Sequence, residues 1–66
     1  MVSRTSGERL LKVLVSALRP GDYVIAAHAT VLAVEFLAYH GLVRLAGRSA
    51  LTAMPREAMV SIYRSN

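Results

Sequence analysis

The apolar residues in the first part of the chain recur at helical rather than alternating intervals. On a wheel drawn at ~100° per residue, Leu10, Leu11, Leu14 and Leu18 share one face, and Arg9, Lys12, Ser16 and Arg19 share the opposite one. Thr5 and Glu8 have capping-box spacing, so the pattern predicts an amphipathic first helix that begins there and carries a basic stripe. Pro20-Gly21 breaks it, and Asp22 is placed to cap a short second helix from Tyr23 to about His28. Thr30 can cap again and open a third helix, Val31 to His40. A single helix from Tyr23 to His40 is the rival reading, because Ala, Val and Leu supply no strong breaker there.

The third segment has almost no polar face. Ala33, Val34, Leu37 and Ala38 make one apolar side, Leu32, Phe36 and Tyr39 another, and only Glu35 and His40 are plainly hydrophilic. Such a helix lies in the core or is covered by a second chain, which makes Leu32, Phe36 and Tyr39 the candidate interface of a possible homodimer. Gly41 is expected to end this helix by taking up a left-handed backbone. Leu42–Leu45 and Arg48–Thr52 are β-capable runs around Ala46-Gly47 and predict a small hairpin. Pro55 and Glu57 suit the first turn of a closing helix, with Met59, Ile62 and Tyr63 on its apolar side. The expected fold is therefore mainly α with a small β-hairpin. It forms a single domain over 1–66, with a core at about 8–54 and a C-terminal helix at about 55–64.

Three helices, a two-stranded hairpin and a closing helix, in that order, resemble a winged helix-turn-helix domain. The text AVEFLAYHGLVRLAGRSALT at residues 33–52 is similar to the end of that family's recognition helix followed by its Gly-Arg wing. The resemblance implies a three-helix core, a third helix in the major groove and wing arginines, here Arg44 and Arg48, on phosphate or the minor groove. It further implies backbone contacts from Arg9, Lys12 or Arg19 on the first helix, with Thr30 at the start of the third. The segment Val31–His40 departs from that pattern. It offers no Arg, Lys, Asn or Gln to read base edges, and it places Glu35 where phosphate would be repelled.

Composition narrows the partner. Eight Lys and Arg against four Asp and Glu give a net charge of +4, and seven of the eight cations are arginine, the residue best suited to bidentate contact with phosphate or carboxylate. Cysteine is absent, which excludes disulfides and thiolate metal sites, and a domain of this size buries only about 60% of the surface its unfolded chain exposes. The longest run without a charged residue, Tyr23–Val34, is short of the ~20 residues a bilayer requires. Lys12 interrupts the N-terminal apolar run, so no secretory signal is expected and the cytoplasm is the expected compartment.

Candidate chemistry is sparse. His28 and His40 lie twelve positions apart with few acids, which matches no metal-ligand spacing, and no nucleophile elbow or phosphate-cradling glycine loop is present. No enzyme activity, metal or other cofactor is expected. Two functions follow. One is a small DNA-binding regulator that contacts duplex DNA mainly through phosphate. The other is an inhibitor or adaptor that docks on an acidic protein or nucleoprotein, similar in size and style to phage-encoded host-takeover proteins, anti-CRISPR proteins among them.

Overall fold

The computed structural model describes residues 8–65, and it is built of strands. β1 (Glu8–Leu14) leads into a single 3-10 turn (Val15–Ala17), followed by β2 (Tyr23–Val24), β3 (Ala29–Phe36), β4 (His40–Leu45), β5 (Thr52–Pro55) and β6 (Met59–Ser65). All six form one sheet in the order β1-β6-β2-β3-β4-β5, and every neighbouring pair is antiparallel.

This overturns the mainly α expectation and the winged helix with it. Glu8–Leu14, expected to form the first helix, is a strand paired with β6 from Glu8↔Ser65 to Leu14↔Met59. The proposed cap Thr5 lies outside the described residues. Tyr23–His28 is a two-residue strand and a turn, Val31–His40 is most of β3, its hairpin tip and the first residue of β4, and the closing helix expected over 55–64 is the end of β5, a turn and most of β6. The hairpin is the one β element anticipated from the sequence. Leu42–Leu45 lies inside β4, and Ala46-Gly47 does form a turn, closed by Arg48 N–H donating to the Leu45 carbonyl at 3.2 Å. Its second strand begins only at Thr52, not Arg48.

Physical reasons for the strands are visible in the side chains. Leu11 and Val13 on β1, Ile62 and Val60 on β6, and Val24 on β2 project to one face, while Leu10, Lys12, Ser61, Tyr63 and Tyr23 project to the other. The sheet closes over the first face. Val15, Leu18, Val24, Ala29, Val31, Val43, Leu45 and Ile62 form the buried core, which draws on β2, β3, β4, β6 and the 3-10 segment. On the outer face the Tyr23 and Tyr63 rings lie 6.4 Å apart, a tilted cross-strand pair.

β3 bends the sheet. Its first residues pair with β2 and the rest with β4, and between Val31↔Leu45 and Ala33↔Arg44 it carries one extra residue, Leu32, as a β-bulge. Gly41 has a different role from the one expected. It is a buried strand residue, and a Cβ there would meet Val15 Cγ1 at 3.0 Å and the Phe36 ring at 3.4 Å, so glycine lets the 3-10 segment lie directly on β4. The left-handed glycine of the first connection is Gly21 (φ 98°). It follows Pro20 in a turn closed by Asp22 N–H donating to the Arg19 carbonyl at 3.1 Å.

Candidate functional site

Asp22 is 2% exposed and is the buried charged residue of the core. The turn that positions it follows from Pro20-Gly21, and the partner arrives from β6. Arg64 Nε donates to Oδ1 at 2.8 Å and Nη2 to Oδ2 at 2.7 Å, a bidentate fork. Nη2 also reaches the Ala17 carbonyl at 3.1 Å, and the Arg19 backbone N–H donates to Oδ2 at 2.9 Å. Burial pushes the carboxyl up. The Arg64 hydrogen bond, the Arg19 N–H and the charges of both arginines together outweigh it and hold Asp22 below the usual carboxylate range. The same contact pushes Arg64 further up. Asp22 thus pins the loop before β2 to the last strand instead of capping a helix.

Beside this pin opens a cleft of about 210 Å³ lined by Arg19, Pro20, Gly21, Asp22, Arg64 and Ser65. Arg9 stands directly opposite Arg64 in the β1–β6 ladder, and directly opposed residues project to the same face with Cβ atoms ~4.5–5.5 Å apart. Arg19 and Arg64 therefore meet at Asp22, and Arg9 lies beside them at the same end of the sheet.

The remaining predicted contact residues are dispersed. Lys12 projects from the outer face of β1, and Thr30, opposite Tyr23, is half-buried on the same side of the sheet. Arg44 is exposed on β4 opposite Ala33. Arg48 is tied to the β2–β3 turn by donating from Nη2 to the Ala27 carbonyl at 2.7 Å. Among the described residues no recognition helix or wing gathers Arg44, Arg48 and Thr30 into a groove-reading surface.

The expected Leu32–Phe36–Tyr39 stripe is also dismantled. Leu32 is the bulge residue, while Phe36 lies against Gly41 and under the Arg56 guanidinium, 5.2 Å from its ring centroid. Arg56 further holds the hairpin tip by donating from Nη1 to the Leu37 carbonyl at 3.0 Å and from its backbone N–H to the Tyr39 carbonyl at 2.9 Å. Tyr39 itself is 81% exposed above a groove of about 500 Å³ lined by Leu14, Ser16, Ala38, Pro55, Arg56 and Glu57.

Sequence reasoning missed Arg64, Ser65 and Gly21. The available signal was a lone aspartate after Pro-Gly in a chain with seven arginines, and it could not say which arginine, because the partner lies 42 positions away. His28 immediately precedes β3 and His40 opens β4, and among the described residues no three His, Asp or Glu side chains gather as a metal site. No helix among the described residues is long and apolar enough to cross a membrane.

The fold and surface define a small, basic, all-antiparallel β module with Arg9, Arg19 and Arg64 near one corner. Comparison with family models, curated proteins and solved structures found no match to the chain.

Proposed function

We propose that this protein is a non-catalytic module that binds the phosphate backbone of nucleic acid and acts in the cytoplasm. One observation carries the reading. Arg9, Lys12, Arg19 and Arg44 are exposed and make no side-chain hydrogen bond or ion pair with another described residue, while the sole aspartate is already saturated by Arg64. Cations left unpaired on a chain of net charge +4 are available to displace the counterions of a polyanion. Contacts of this kind are made to phosphate and do not depend on base sequence.

Fluorescence anisotropy with labelled duplex and single-stranded oligonucleotides, repeated across salt concentrations, tests the reading. Affinity is expected to fall linearly in a log–log plot, with a slope of about −0.9 per neutralised phosphate for duplex and about −0.7 for single strands. No binding to either at low salt would rule the function out.

A second reading, a protein-docking adaptor, is favoured by the hairpin tip, where Tyr39 and Leu37 are 81% and 47% exposed beside the groove. It predicts a nuclease-resistant protein partner whose capture is abolished by Tyr39→Ser with the fold intact.

A further inference from the structure

From the geometry we infer that the cleft beside Asp22 is a site for a single phosphate group, held by Arg19 and Arg64, with Arg9 opposite Arg64 at its edge. The inference deepens the nucleic-acid reading and rests on it for the oligomeric form of the ligand. The site itself stands on its own geometry.

Three features point to an anion. The first is charge: Arg19 and Arg64 line the cleft with the single carboxylate of Asp22, and Arg9 stands opposite Arg64 in the neighbouring strand, so arginines outnumber the aspartate at this corner. Like charges directly opposite on adjacent strands, as Arg9 and Arg64 are, repel one another unless something negative lies between or beside them. The second is preorganisation. Nε and Nη2 of Arg64 are fixed by Asp22 and Ala17, so the guanidinium plane is locked while Nη1 keeps its donors unengaged among the described residues. A locked guanidinium loses little freedom when it engages an oxyanion. The third is space: the cleft, at about 210 Å³, holds roughly seven water volumes at about 30 Å³ each, enough for one phosphate with part of its hydration shell. The ion pair with Arg64 offsets the repulsion the Asp22 carboxylate would otherwise exert on an anion. The Ser65 side chain and the Pro20-Gly21 turn complete the rim.

A phosphodiester of a nucleic-acid strand and a free phosphate monoanion or dianion present the same chemistry, and the experiment separates them. Backbone amide and arginine Nε–H resonances would be followed by NMR during titration with inorganic phosphate at constant ionic strength, with chloride as the reference, and then with a short oligonucleotide. Saturable shifts at Gly21, Arg64 and Ser65 with phosphate but not chloride are expected. Arg9→Ala and Arg19→Ala should each weaken phosphate binding by about tenfold without a change in thermal midpoint. Arg48→Ala removes the same charge away from the corner and should leave the phosphate affinity within about twofold. Phosphate shifts no larger than those of chloride, or equal weakening in all three variants, would overturn the site. Saturable phosphate binding together with an oligonucleotide that binds without perturbing the corner supports the site, identifies free phosphate as its ligand and leaves the nucleic-acid function standing. Saturable binding of phosphate with no oligonucleotide binding supports the site, identifies free phosphate as the source and removes the nucleic-acid function instead.

Discussion

At the scale of single residues, Asp22 carries the largest electrostatic consequence. Its two oxygens accept from Arg64 twice and from the Arg19 N–H, and truncation would leave the Arg64 guanidinium beside a void. Removing one partner of a buried pair costs about 3–5 kcal/mol, so Asp22→Ala is expected to lower unfolding stability by about that amount in urea melts. The pH dependence follows from the sign of its shift. A carboxyl held below its ordinary value binds fewer protons folded than unfolded. Its contribution is therefore complete above the ordinary value of about 3.9 and is lost as pH falls through the lower folded value. Melts between pH 5 and acid should show this loss in the native sequence, and the Asp22 component should be missing from Asp22→Ala. Gly41 illustrates the same scale by steric means, since what matters there is the absent Cβ facing Val15.

At the scale of elements, the decisive feature is the bulge at Leu32. Ala29 and Val31 face the core, the extra residue shifts the phase, and Val34, which pairs with the buried Val43, then takes up the core side again. Apolar spacing read across that break no longer alternates, and with several alanines it resembles a helical stripe. Alanine's helix preference is weak beside the burial gained by pairing Val31, Val34 and Val43 in a sheet. Leu32→Thr is expected to change stability by no more than about 0.5 kcal/mol, because that side chain is 53% exposed. Deleting Leu32 should remove the bulge and leave Val31, Ala33 and Val34 in regular alternation opposite Leu45, Arg44 and Val43, so the fold should be retained. Deleting Val34 instead brings Glu35 to the core side and should cost at least about 2 kcal/mol. Equal urea midpoints for the Leu32 and Val34 deletions would contradict this account of β3.

At the scale of the whole molecule, the sheet order distributes the cations unequally. Arg48, Arg56 and Arg64 are engaged by carbonyls or Asp22, whereas Lys12 and Arg44 stand free on the outer faces of β1 and β4. Under the proposed function, Lys12→Ala and Arg44→Ala should each weaken oligonucleotide binding evenly across base sequences and flatten the salt slope by about one unit for each phosphate no longer neutralised. A variant that changes the sequence preference but not the slope would show base reading instead.

Several properties are local and were legible in the residues themselves: the turns at Pro20-Gly21 and Ala46-Gly47, the strand at Leu42–Leu45, the surplus of arginine and the exposure of Arg9, Lys12, Arg19 and Arg44. Each depends on a backbone preference or a charge that needs no distant neighbour. The helix-or-strand choice for Glu8–Leu14 and Met59–Ser65 was of another kind, since Glu8 meets Ser65 only when the two ends of the chain are side by side. The same holds for Arg64 and Asp22. Helical contacts repeat within a few residues and leave a period to read. Strand contacts and the charged corner they assemble join residues far apart in the chain, so only the folded sheet decided where they would meet.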